Sequence, residues 1–325
     1  MNVIHFLNVG EGDCSLIQHA SGRNTVIDVS MAKPIDQRNE RKFALYESLS
    51  GNYRQKDYPE NPIAYFNRLG IDEIFRFILT HPDMDHLDGI KALFEAFSVT
   101  NFWDTNNNKT IDPNGFLGKY NPEDWEFYQD IRKSENAPKT LRLYAGEHGA
   151  YYNKDKSGSV SGDGLYILSP TPELSREANQ TGKYNDASYV ILFCCSGRKI
   201  LFAGDSEEKV WNHILENYAD DVTDIDILIA PHHGRKTGGN DEYLDVLNPK
   251  FTLFGNAKSK DLDYGSWNRR NLLHITNNQA GNVIMEIADT STIRVYITSK
   301  AFAEEISPSS VCFSEKYRAW DIRTL

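Results

Sequence analysis

Residues 77–90 read FILTHPDMDHLDGI. The first four close a run, Ile74 to Thr80, whose aromatic and β-branched side chains suit a strand buried in a core. Within the next eight residues stand two histidines and three aspartates. Loops that follow strands are where a rigid scaffold presents ligands, so the expected layout is a strand ending at Thr80, a ligand-bearing loop, and a helix starting near Asp88. His81, Asp83, Asp85 and His86 alternate imidazole nitrogen with carboxylate oxygen. That mixture suits Zn²⁺ or Mn²⁺ rather than Ca²⁺, which takes oxygens alone. Four donors within six residues crowd a single ion, so a pair of ions is expected, completed by donors from elsewhere in the chain.

Two further strand-like runs end the same way. KILFAGDSEE leads into Gly204 and Asp205, and DILIAPHHGRKTGG leads into His232 and His233. Other short runs bounded by Gly, Asn, Asp and Pro mark strands at 2–8, 14–19, 24–29, 164–169, 187–194, 198–204, 225–230, 250–255, 282–287 and 292–298. Helical periodicity falls at 61–69, 88–98, 121–133 and 207–218. Interspersed helices and hairpins such as 187–204 predict an α/β architecture with helices over the outer faces of two sheets. The chain reads as a single domain, 1–325, with polar stretches at 31–60 and 104–139 as insertions that could cover a substrate or simply decorate the surface.

The chain has 35 basic and 46 acidic residues and a formal net charge of -11. That balance argues against a broad non-specific DNA-binding face, which usually carries a basic excess, but leaves room for a phosphate substrate at a pocket made positive by cations. The N-terminus lacks the basic, apolar and small-residue order of a signal peptide, and no stretch approaches the roughly 18 apolar residues of a spanning helix. A cytoplasmic location and no membrane partner are therefore expected. The four cysteines show no C-x-x-C spacing and are expected to be reduced packing residues, with Cys194 and Cys195 facing opposite sides of one strand. Trp211 is expected in the core. His5, His19, His148, His213 and His274 stand alone and are expected to be structural or exposed.

Together, the three strand ends resemble the metallo-β-lactamase superfamily, whose H-x-[HD]-x-D-H loop is followed by a distal Asp and a final His. Within it the chain is most similar to the hydrolase domain of ComEC-type DNA-uptake channel proteins. Asn8-Val9-Gly10-Glu11-Gly12-Asp13 stands where that group has D-V-G-Q-G-D. Ile27-Asp28, His81 to His86, Asn185 to Ser188, Gly204-Asp205 and Pro231-His232-His233-Gly234 follow in family order. The resemblance spans residues 3 to about 287. It implies a four-layer αββα sandwich with metals at the sheet edges. One ion would be held by His81, Asp83 and Asp205, the other by Asp85, His86, Asp205 and one of the paired histidines. His233 is preferred as that ligand, and His232 as a substrate-facing group. Asp28 and Asp13 could orient ligand histidines, or could simply be turn residues.

The chain departs from the family pattern at three places. Asp83 replaces the second histidine of the commonest loop, as in the DNA-uptake group. Asn185 and Asp186 stand where many relatives have a mid-chain histidine ligand. Arg235 follows P-H-H-G, and Tyr264-Gly265-Ser266-Trp267 replaces Y-G-H-P.

The function expected is hydrolysis by a hydroxide bridging two divalent cations, Zn²⁺ first and Mn²⁺ as the alternative, on a phosphodiester such as DNA, RNA or a smaller molecule. In that scheme His232 or a metal-bound water protonates the leaving oxygen, Arg235 holds a phosphate oxygen, and Asp85 is essential. The alternatives are a carboxylic ester, thioester or lactam hydrolase, and a metal-binding module that has lost turnover.

Overall fold

A computed structural model describes residues 1–34, 53–112, 116, 118–153, 162–236, 239–308 and 311–325. In chain order the strands are β1 (Asn2–Phe6), β2 (Ser15–Gln18), β3 (Asn24–Ile27), β4 (Glu73–Ile78), β5 (Ser98–Trp103) and β6 (Lys139–Leu141). A second group follows: β7 (Leu165–Ser169), β8 (Val190–Cys195), β9 (Arg198–Phe202), β10 (Ile227–Ile229), β11 (Phe251–Phe254) and β12 (His274–Thr276). The chain closes with β13 (Val283–Ile287), β14 (Ile293–Ile297), β15 (Cys312–Ser314) and β16 (Ala319–Thr324). The first and last groups form a ten-stranded sheet ordered β15-β16-β14-β13-β1-β2-β3-β4-β5-β6. The middle group forms a six-stranded sheet ordered β12-β11-β10-β9-β8-β7. Strands β3 to β6 run parallel, as do β9 to β12, and the remaining pairs are antiparallel.

Period-2 alternation builds the layers. In β8, Ile191, Phe193 and Cys195 face the other sheet, where Ile4, Phe6 and Ile17 meet Phe202, Ile229 and Phe251. Val190 and Leu192 face outward with Val210, Trp211 and Ile214. Cys194 packs on that outer layer, so the two adjacent cysteines do face opposite ways, and all four cysteines are free. Each fully buried Phe, Leu or Ile contributes roughly 1.5–3 kcal/mol.

Three helices, α1 (Pro62–Arg68), α2 (Ile90–Ala96) and α3 (Pro122–Ile131), cover the outer face of the larger sheet, with Ile63, Phe66, Leu93, Trp125 and Tyr128 against Leu16, Val26 and Phe77. Asn61 and Asn121 start α1 and α3 in the same manner, each accepting a backbone N–H two residues on, with proline at the first helical position. Between the two groups of covering helices lies α4 (Pro172–Thr181). The smaller sheet is covered by α5 (Glu208–Val222), α6 (Tyr243–Leu247) and α7 (Tyr264–Asn268). The four-layer αββα arrangement is thus the observed one.

Every strand expected from sequence is present, as are the four helices. The segment Ser98–Trp103, for which the sequence reading has no strand and whose first residue falls at the end of an expected helix, is strand β5, paired in parallel with β4. Of the expected insertion at 31–60, residues 35–52 lie outside the described residues; in 104–139, all but 113–115 and 117 are described. Among the described residues no helix is long and apolar enough to cross a membrane.

Candidate metal centre

The carboxyl ends of the parallel strands open on one rim, which is where open α/β sheets place their ligands. Strand β3 runs on into Asp28, β4 into Thr80 and His81, β9 into Asp205, and β10 into His232 and His233; the β1–β2 connection adds Asp13. Asp205 lies at the middle. Its Oδ1 is 3.2 Å from His86 Nε2 and 3.6 Å from His233 Nε2, while its Oδ2 is 3.7 Å from His81 Nε2 and 3.6 Å from His232 Nε2. Asp85 Oδ2 is 3.6 Å from His233 Nε2.

The outward sides of these rings are pinned. Asp28 takes the Nδ1–H of His86 at 2.8 Å, and also accepts the Thr80 N–H at 2.7 Å and the Thr80 hydroxyl at 2.6 Å. With its proton committed to Asp28, the Thr80 oxygen accepts from His81 Nδ1 at 3.2 Å. Asp13 Oδ1 lies 3.0 Å from His233 Nδ1. Hydrogen bonds behind the rings of His86 and His81 fix their tautomers and turn Nε2 inward, the arrangement usual for metal-bound histidine, while Asp13 stands behind His233 at ion-pair distance. Asp28 is hydrogen-bonded to His86, and Asp13 lies at ion-pair distance from His233, so both carboxylates face ligand-type histidines.

The backbone reaches this geometry through unusual conformations. Asp28, His232 and His233 have φ of 56°, 51° and 57°, a region that costs a non-glycine residue on the order of 1–3 kcal/mol. Gly12, at φ 106°, approaches so closely that a Cβ there would lie 1.9 Å from the Asp85 carbonyl oxygen. Gly204, at φ 52°, lets β9 meet the end of β4, since its Cβ would lie 2.9 Å from the Thr80 Cβ.

His81, His86 and His233 are fully buried and Asp205 nearly so, yet Nε2 of each ring and Oδ1 of Asp205 have no hydrogen-bond partner. A buried polar atom left unsatisfied costs about 1–3 kcal/mol, so four in one place call for a ligand. Donor atoms of His81, His86 and Asp205, and those of Asp85, His86 and His233, lie within 4.8 Å of one another. These residues fit divalent cations.

Charge points the same way. Burial opposes ionisation of Asp205, but the facing imidazoles of His233, His86 and His81 win and hold its pKa well below the usual carboxylate range. Burial likewise disfavours the charged form of His86, and Asp205 with Asp28 overcomes it, raising the pKa well above an ordinary histidine. For His233, burial is outweighed by Asp13 and Asp205, and the pKa is pushed up to about 10. His81 moves down, through burial and the nearby His86. The carboxylates are thus balanced by positive charge that a bound cation would supply in place of protons.

The structure brings His81, Asp85, His86, Asp205 and His233 together. His232 sits at the mouth, its side chain 23% exposed against 0% for His233. Asp83 Oδ1 is 3.8 Å from His81 Nε2 but is ion-paired with Lys109. Asn185 donates to Glu207 at 3.3 Å and shares a cavity of about 330 Å³ with Asp83, Lys109 and Lys183. Arg235 lines a separate cavity of about 340 Å³ beside Lys236, Tyr243 and Trp267, its Nε buried and unpaired. Thr80 and Lys109 went unnoticed in the sequence: a threonine closing an apolar run and a lysine in a polar stretch carry no spacing that marks them.

No family model matches the chain. A curated relative, ComE operon protein 3 of Bacillus subtilis (strain 168), is 22% identical over 264 residues, which are 79% of this chain and 28% of the relative's length. The chain therefore spans little more than a quarter of that protein. Among solved structures, the metallo-beta-lactamase fold protein YhfI from Bacillus subtilis is similar with a TM-score of 0.44 at 9% identity, over 85% of this chain and 96% of that one. Tm1679, a metal-dependent hydrolase of the beta-lactamase superfamily, gives 0.49 at 12% identity, over 89% and 100%. The αββα layering and the rim of ligand-type residues agree with the resemblance read from the sequence.

Proposed function

We propose that the chain is a metal-dependent hydrolase that holds two divalent cations and cleaves a phosphodiester, in DNA, RNA or a smaller molecule. The observation that carries the reading is the convergence of three buried, unpartnered imidazole nitrogens, of His81, His86 and His233, on one carboxylate, Asp205. Asp85, His86, His233 and Asp205 would hold one ion; His81, Asp83 and Asp205 would hold the other. Zn²⁺ suits the imidazole-rich set, and Mn²⁺ suits its carboxylates. When bound, such a pair brings the pKa of a shared water toward neutrality and neutralises charge on a phosphoryl group.

The chain's own residues do the rest. Asp28 and Asp13 keep the rings of His86 and His233 aimed. His232, at the mouth, can carry a proton on Nε2 toward a departing oxygen. Arg235, which lines the cavity beside Tyr243 and Trp267, would hold a phosphate oxygen of a substrate that extends from the centre into that cavity. Similarity to the hydrolase domain of DNA-uptake channel proteins supports a nucleic-acid substrate. The net charge of -11 supports recognition by these local cations rather than long-range steering.

The test is an assay of the purified chain with Mn²⁺ or Zn²⁺ on labelled single- and double-stranded DNA and RNA and on a chromogenic phosphodiester, beside a chromogenic lactam and a thioester. Phosphodiester cleavage lost in Asp85→Ala and His86→Ala is expected. Turnover of the lactam or thioester alone would move the reading to acyl chemistry, and bound metal without any turnover would make the chain a binding module.

A further inference from the structure

The two oxygens of Asp205 divide the cluster into unequal halves. On the Oδ1 side stand His86 and His233, with Asp85 beside His233, a full set of donors for one ion. On the Oδ2 side only His81 is fully buried and unpaired, because Asp83 is committed elsewhere. Asp83 belongs to neither of the two donor groups that converge tightly. Its Oδ1 carries the Lys109 ammonium, and Asn185, at the position where a mid-chain ligand would be sought, is turned to Glu207.

Lys109 is built into place. Its ammonium lies 5.4 Å from the Tyr184 ring centre, its backbone N–H donates to Asn107 Oδ1 at 3.2 Å, and the neighbouring Asn108 is held by Asn179 at 2.8 Å and by the Tyr184 hydroxyl at 2.9 Å. Only a fifth of the lysine side chain is exposed. An ammonium pinned against a carboxylate that an ion would need is a competitor for that ion: both are cations, and Asp83 Oδ1 cannot serve both at full strength.

We propose that Lys109 occupies Asp83 as a built-in competitor, so that the two ions bind unequally: the Asp85, His86, His233 and Asp205 half fills first and tightly, and the His81 half fills weakly, as Lys109 gives up Asp83. This rests on the metal-centre reading above and adds an order of binding set by a residue outside the ligand set.

The test is calorimetric titration of the chelator-treated chain with Zn²⁺ or Mn²⁺, with the metal content counted after dialysis. In the unaltered chain, one ion survives dialysis and the second binds at least tenfold more weakly. Lys109→Met, which keeps the length and loses the charge, strengthens the second event tenfold or more and leaves the first unchanged; Lys109→Gln does the same if the methionine variant fails to fold. Asp83→Asn weakens only the second. Two ions of equal affinity in the unaltered chain, or a second event indifferent to both Lys109 substitutions, would overturn the proposal while leaving the metal-centre reading standing. Failure of the unaltered chain to bind any ion would overturn both.

Discussion

The Asp28 carboxylate meets Nδ1 of His86 at 2.8 Å, and in doing so points the other ring nitrogen at Asp205, 3.2 Å away. Asp28 reaches that position from a left-handed backbone and also takes both protons that Thr80 offers. One residue past the end of β3 thereby fixes the end of β4. Asp28→Asn keeps the size and tolerates the backbone but loses the charge. Metal affinity is expected to fall about 10- to 100-fold, measured by competition with a chromophoric chelator, while the far-ultraviolet circular dichroism stays unchanged.

The paired histidines are expected to separate cleanly. His233 is buried with its Nε2 facing Asp85 and Asp205, so His233→Ala should release an ion. His232, at the mouth, should retain metal as His232→Ala and lower kcat by about 10²–10⁴ if it passes a proton in the slow step. Metal analysis beside steady-state kinetics distinguishes the two, and equal loss of metal in both variants would contradict the assignment.

Gly12 and Gly22 offer a matched pair. Both have positive φ, 106° and 87°, but a Cβ on Gly12 strikes the Asp85 carbonyl whereas one on Gly22 meets nothing within 4 Å. Gly22→Ala should cost about 1 kcal/mol through the backbone alone and keep its metal. Gly12→Ala should lose clearly more stability and also lose metal, because Asp85 must move. Thermal melts with metal counts check both.

Two histidines outside the centre set an acid limit on stability. Burial pushes the pKa of His5 down to about 4, only partly offset by the hydrogen bond its Nε2 donates to Gln18 Oε1, and burial pushes His19 down to about 3. Both stay neutral in the folded chain while the unfolded chain takes up protons below about 6.5, so the unfolded state binds more protons and stability falls as pH drops from about 6.5 toward 4. For His5 the full displacement corresponds to about 3 kcal/mol. On metal-free protein, Tm should decline over that window, and His5→Gln or His19→Gln should flatten the decline even where it lowers Tm overall.

Much of this is legible in the sequence. Apolar runs ending in small residues and then ligand-type side chains marked β4, β9 and β10, because a buried strand and a polar rim leave opposite imprints on one short stretch. The pinning residues were harder to read. Asp28 and Asp13 sit beside other turn-forming residues, and an aspartate there looks the same whether it caps a turn or backs a histidine. Lys109 was invisible, since its partner Asp83 is 26 positions away and only the packing of α4 and Tyr184 brings the two together. Strand β5 is not marked in the sequence, as its strand character depends on pairing with β4 rather than on its own composition.

The central claim is that two cations share Asp205, and anomalous diffraction from crystals saturated with Mn²⁺ or Zn²⁺ tests it most directly. Two peaks about 3.5–4 Å apart, one on each side of Asp205 and within bonding distance of His233 and His81 respectively, are expected. No peak at Asp205, or a single peak even at saturation, would contradict it.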